Sequence, residues 1–278
     1  MSTQSLQRVA VRMLYDQDFL DRVYDDAGAA TRDCDLTPIE RDWLRAPDLR
    51  AWRVDPLRRT RSLTALIEEF AVSVALFVRA RSNAATRLDS FFSSREFHAG
   101  MQRGASLAAV FVEWFGPRVD DQARDLLRLE ASLAAVRREF EAGLISPPFG
   151  SLDTAATILL SPAVDILELS QGTVAGFSTV LGELRRGGVT ETAMDASVPL
   201  SAGASSSTER EGVLVDGRQT DPRLEILSAD LGRVLVAAVE PIDFPDFARR
   251  AAVHGADEED CRSILSSFAA DGIVQVVT

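Results

Sequence analysis

Two histidines and two cysteines are the only side chains of their kinds in this chain of 278 residues, and none of them lies at a spacing that makes a site. His98 and His254 are far apart, Cys34 and Cys261 farther still, and no HxxxH, HxE or CxxC places two ligands on one helical face. The sequences that build a nucleophile elbow (G-x-S-x-G), a phosphate-cradling P-loop or a dinucleotide-binding turn (G-x-G-x-x-G) do not occur. His98, in SREFHAG, has the chemistry of a metal ligand or proton shuttle, but a lone histidine near a helix end also serves structure. Asp165 and Glu168 are close enough in sequence to pair as acid and base, or to be two solvated acids. Arg50, Arg53, Arg58, Arg59 and Arg61, with Trp52 among them, form one basic run in an acidic chain. It suits an acidic partner or a phosphate, or a salt-bridged surface. No catalytic residue and no metal ligand is assigned.

What remains is backbone chemistry. Val213, Leu214 and Val215, or alternatively Leu224, Ile226 and Leu227, are short apolar runs of the kind that line a strand edge. A peptide can add to such an edge, its main chain supplying affinity and its alternate side chains supplying register.

The elements around those runs fall into two parts. Leu6, Val9, Met13, Leu14, Phe19, Leu20 and Val23 follow a helical stripe with a break near 16–18. Thr37, Pro38 and Glu40 spell a helix start with a capping box. The stretch Ser62–Arg81 recurs at threes and fours and is expected as one central helix, followed by the aromatic-rich DSFFSSREFHAG, the apolar ASLAAVFVEWFG, and a long amphipathic helix from Asp120 to Gly143. SPPFGS is a breaker. After it come a strand through 164–169, a helix in TVAGFSTVLGELRRGG, a mobile Ser/Ala/Gly linker at about 189–211, and a strand in EGVLVDG. LEILSADLGRVLVAAVEP is expected as a β-hairpin turning at Ala229-Asp230-Leu231-Gly232, with two helices after it, a stop at Gly272 and a last strand in IVQVV. The expected fold class is α+β, with a helical bundle at 1–146 and a small winged-helix-like α+β domain at 147–278.

Charge narrows the partners. The formal net charge is −12, every one of the 30 basic residues is arginine, and between Asp221 and Thr278 five arginines face eleven acids. A DNA reader neutralises phosphates with a basic face, so a winged-helix transcriptional regulator with a helical ligand or dimerisation domain is the alternative rather than the first reading. No apolar stretch approaches the roughly 20 residues that span a bilayer. The first residues lack the apolar core of a signal peptide, so neither membrane nor nucleic acid is an expected partner and the cytoplasm is the expected location.

The series MLYDQDFLDRVYDD, LTPIERDWL, SLTALIEEFAVSVAL, LDSFFSSREFHAG and LSPAVDILELSQGT resembles the methanobactin-partner-like partner subunits of multinuclear non-haem iron-dependent oxidative enzymes, which act on ribosomally made, post-translationally modified peptides. The resemblance spans most of the chain outside the Ser/Ala/Gly segment. It implies a non-catalytic chain without a cofactor of its own, in a heterodimer with a barrel-fold iron enzyme that holds the iron. The helical part would dock on that enzyme, with Phe91, Phe92, Phe97, His98, Arg58 and Arg59 as candidate contacts. The C-terminal part, similar to a RiPP recognition element, would receive the precursor's leader as an added strand while the cysteine-bearing core enters the iron site.

Overall fold

The computed structural model describes residues 3–53, 55, 57–143, 157–200, 209–236 and 238–277. The expected breaker at SPPFGS, the boundary at 146/147 and positions 201–208 of the expected linker lie outside these residues. The chain is α+β and divides into two compact units, one of residues 1–127 and 183–199 and the other of residues 128–182 and 200–278.

The first unit is helical, and its local signals behave as the sequence indicates. Asp16 interrupts the first stripe with an extended backbone, and its carboxylate accepts the N–H of Phe19 at 3.0 Å, which starts a second helix at Gln17. Val9, Met13, Phe19, Leu20 and Val23 are buried on the shared face. Thr37 and Glu40 close their capping box, with the Glu40 carboxylate accepting the Thr37 N–H at 2.7 Å. The expected central helix is two helices, Arg58–Glu69 and Ala71–Ala80, joined at Phe70. Neither glycine nor proline marks that joint. The fully buried Phe70 ring packs on Phe111 at 5.2 Å, so the break falls where tertiary packing seats a ring. Within the segment expected as a linker, Val189–Met194 is a helix. Arg79 holds that segment to its unit, donating to the carbonyls of Thr192, Ala193 and Val198.

The second unit carries two antiparallel sheets. Its strands are β1 (Thr157–Leu160), β2 (Val164–Ser170), β3 (Arg210–Asp216), β4 (Arg223–Leu227), β5 (Ile242–Asp243) and β6 (Val274–Val277). One sheet has the order β5-β1-β6 and the other β2-β3-β4. Helices Ala229–Val236, Phe244–Ala252 and Glu258–Ala270 complete a core in which Ile158, Ile166, Leu214, Leu235, Phe247, Cys261 and Leu265 come together. The last of those helices begins with a capping box between Asp257 and Asp260, and Gly272 takes a positive φ of 72° at its end.

The hairpin expected at 224–240 is a correction. β4 ends at Leu227, and Ala229–Val236 is a helix: Ser228 Oγ accepts the N–H of Leu231 at 3.2 Å, and Leu231, Val234 and Leu235 meet the core at spacings of three and four. The true hairpin is β3–β4, one strand earlier. Gly232 therefore provides close approach rather than a turn. A Cβ on it would stand 2.9 Å from the Gly212 Cα, and one on Gly212 would stand 3.0 Å from the Gly232 Cα. The helix lies directly on the backbone of β3 at this crossing. Gly232→Ala gains helix propensity of about 1 kcal/mol but meets main chain that cannot rotate away. We expect a net loss of roughly 1–3 kcal/mol in chemical denaturation, against a small gain if the two backbones were farther apart.

Candidate functional site

The side chains with catalytic chemistry are dispersed or buried. His98 is 5% exposed, its ring lies 5.2 Å from that of Phe97, and neither ring nitrogen has a hydrogen-bond partner among the described residues. Burial pushes its pKa down to about 4; Arg12 and Arg8 reinforce that and Asp16 opposes it. It is a neutral imidazole enclosed by protein. Phe91, Phe92 and Phe97 are each 0% exposed, and with Tyr15, Phe111 and Trp114 they form a continuous cluster of ring contacts at 5.1–5.7 Å. As candidate partner contacts, Phe91, Phe92, Phe97 and His98 are therefore corrected to core residues of the helical unit. Their density reflects packing of rings against rings.

The basic run is a salt-bridged surface. Arg59 forks onto the Asp89 carboxylate with two contacts of 2.6 Å and also donates to the Tyr15 carbonyl. Arg58 lies 3.8 Å from Asp55, which Arg61 also engages, and Arg53 pairs with Asp21. Asp165 and Glu168 are not a pair either, since an odd spacing along β2 places them on opposite faces. Burial, followed by the charges of Asp260, Asp257 and Glu258, pushes the Cys261 thiol pKa up, away from the reactive thiolate. Among the described residues no group of three or more potential ligands gathers to hold a metal. A cavity of about 210 Å³ lies between β2 and the helix Ala229–Val236, with the Arg233–Glu168 ion pair (3.4 Å) and His254 on its lining. It is smaller than the roughly 300 Å³ at which small-molecule sites begin.

The main chain offers more. Antiparallel strands alternate between residues that bond one neighbour and residues that turn their N–H and C=O the other way. Gly217 N–H bonds the Ala163 carbonyl at 2.8 Å and Gln171 N–H bonds that of Glu209 at 2.9 Å, which fixes the phase of the β2–β3 ladder. Residues 165, 167 and 169 face β3, so Ile166 and Glu168 turn outward. Across β3, residues 212, 214 and 216 bond Leu227, Glu225 and Arg223, so Leu224 and Ile226 present their main-chain groups on the free side of β4.

This phase separates the two runs singled out in the sequence. Val213, Leu214 and Val215 lie in the central strand, with partners on both sides and exposures of 0, 2 and 0%; as a receiving edge they are a correction, because a strand with two neighbours has no unpaired groups to offer. Leu224, Ile226 and Leu227 lie in an edge strand. Leu227 is buried and bonds inward, Leu224 is half-buried, and Ile226 is 55% exposed. Among the described residues the main-chain groups of Leu224 and Ile226 have no hydrogen-bond partner.

The other edges carry obstacles. On β2 the Asp165 carboxylate accepts the outward N–H of Ile166 at 2.8 Å, and the outward carbonyl of Glu168 accepts from Arg128 at 3.1 Å and Arg210 at 2.6 Å. On β6 the same phase argument turns Val274 and Val276 outward, yet they are 2% and 4% exposed. β5 is two residues long. Occupied groups, burial and short length are three ways of keeping an edge from accepting another strand. Among the described residues β4 uses none of them.

Asp165, Arg128 and Arg210 were not legible as edge blockers, because their role depends on which way a carbonyl turns. The edge itself left a signal: Leu224-Glu225-Ile226 alternates, as an edge strand does, whereas Val213-Leu214-Val215 is a continuous apolar run, as a strand buried on both faces is. No family model matches the chain, and no curated protein matches it.

Burial of His98 makes stability depend on pH. The folded-state pKa of about 4 lies below the ordinary value of 6.5, so the folded form binds fewer protons; stability is fully present above pH 6.5 and is lost as the pH falls toward 4. The loss attributable to this group is at most about 3 kcal/mol. His98→Phe should flatten the decline between pH 7 and pH 4.5 in urea denaturation, and parallel profiles for the two proteins would contradict the assignment.

Proposed function

We propose that this chain is a non-catalytic adaptor: it binds the leader of a ribosomal precursor peptide as an added strand and presents the core to a multinuclear iron-dependent oxidase that modifies cysteine. The observation that carries the reading is the edge of β4, where Leu224 and Ile226 offer N–H and C=O groups that are unpartnered among the described residues, beside an exposed apolar side chain. A peptide strand satisfies those groups without rearrangement of the sheet. The sheet β2-β3-β4 that carries this edge is followed in the chain by the helices Ala229–Val236, Phe244–Ala252 and Glu258–Ala270. Chemistry then belongs to the second polypeptide and its iron, with the helical unit docking through side chains other than Phe91, Phe92, Phe97 and His98.

The winged-helix regulator remains the competing reading, since two helices followed by a strand suit that form. Its weakness is electrostatic. Asp257, Glu258, Glu259 and Asp260 stand at the start of the helix Glu258–Ala270, and the stretch from Asp221 onward holds more than twice as many acids as arginines.

Labelled candidate leader peptides, mixed with the purified chain with and without a multinuclear iron-dependent oxidase, test the proposal by fluorescence anisotropy. Ile226→Pro is the informative variant. It removes an N–H that points away from β3, so the sheet keeps its own hydrogen bonds while the guest loses one. Leader-dependent binding that falls at least tenfold in Ile226→Pro, with an unchanged circular dichroism spectrum, is the expected result. Absence of leader-dependent binding with and without the oxidase ends the proposal, and retardation of promoter DNA at physiological salt moves it to the regulator.

A further inference from the structure

The edge of β4 is chemically uneven, and the unevenness specifies a guest. Each residue of β4 shares a face with its cross-strand partners in β3: Ile226 lies beside Val213 and Leu224 beside Val215, while Glu225 lies beside Leu214 and Arg223 beside Asp216. The first face is apolar and its inner members are buried; Ile226 is its exposed outer margin. On the second face the two exposed side chains at the margin are charged and opposite in sign, Arg223 and Glu225. A guest strand continues both rows.

We infer that the edge selects an extended antiparallel segment of the pattern apolar–basic–apolar–acidic, in which the apolar residues lie against Ile226 and Leu224, the basic residue against Glu225 and the acidic residue against Arg223. This rests on the peptide-binding reading above. The antiparallel direction follows from the stronger hydrogen bonding of antiparallel ladders. The guest bonds the main chain of Leu224 and Ile226, which leaves Glu225 and Arg223 in the non-hydrogen-bonded pairs, where opposing side chains approach most closely. A charge match at those two positions is therefore felt more strongly than elsewhere along the guest. Glu225 and Arg223 are specificity-determining residues, and Ile226 supplies apolar contact without reading the guest's sign.

Two synthetic peptides of identical composition and net charge separate this from general attraction of a basic peptide to an acidic protein. One is Ser-Thr-Val-Lys-Val-Glu-Thr-Ser and the other Ser-Thr-Val-Glu-Val-Lys-Thr-Ser. Titrated into the full chain and followed by the amide resonances of β4, the first should bind about fivefold or more tightly than the second. Glu225→Arg, at an exposed position, should abolish the preference while the spectrum of the sheet is retained. Equal affinities, the reverse preference, no binding of either peptide, or a preference that survives Glu225→Arg overturns the inference. Leader binding and its sensitivity to Ile226→Pro are read separately. A leader that still binds in an Ile226-dependent way alongside indifferent synthetic peptides leaves the adaptor standing and removes only the charge pattern.

Discussion

A strand can bond two neighbours and no more, and β3 has both. Its residues are committed alternately to β2 and β4, and that alternation determines the direction of every main-chain group in the sheet. The phase is set by two bonds just beyond the ends of the ladder, Gly217 to Ala163 and Gln171 to Glu209. Shifted by one residue, the outward groups of β4 would belong to Arg223, Glu225 and Leu227, and the apolar face that buries Val213 and Val215 would turn over. The same register thus fixes what lies in the core and what the edge displays.

Around that register the described residues leave the edges of the sheets unequal. Gly212 and Gly232 let the helix Ala229–Val236 lie flat on β3, over a point where any Cβ would push it away. Arg128 and Arg210 spend their guanidinium donors on a carbonyl of β2 that would otherwise invite a strand, and Asp165 occupies the neighbouring N–H. Unpaired edges favour uncontrolled association, and among the described residues the main-chain groups on the free side of β4 are the ones left without occupied partners, burial or a two-residue length, with charges of both signs beside an apolar residue. The helical unit contributes differently. Its aromatic cluster is packed ring on ring, and Arg53, Arg58, Arg59 and Arg61 are held by Asp21, Asp55 and Asp89 within the same unit.

Signals that act over one turn of helix were readable in the sequence. Thr37 with Glu40, the acids from Asp257 to Asp260, and Gly272 mark helix ends because the groups they satisfy lie three or four residues away. Signals that depend on distant packing were not. The segment Ala229–Val236 is rich in Val and Leu and suits a strand as well as a helix; the Ser228 cap and the contact with Gly212 decide between them. The same holds for Phe70, where a ring seated on Phe111 divides a stripe that is periodic throughout. Phe91, Phe92 and Phe97 illustrate a third limit: an aromatic cluster has the same composition in a core and at an interface, and only its neighbours tell them apart.

Amide hydrogen exchange at β4 tests the central claim most directly. The account predicts fast exchange at Leu224 and Ile226 and slow exchange at Arg223, Glu225 and Leu227 in the free chain, with Leu224 and Ile226 becoming protected when a leader peptide is bound. Protection of Ile226 in the free chain, or protection that does not change on addition of the peptide, would contradict it.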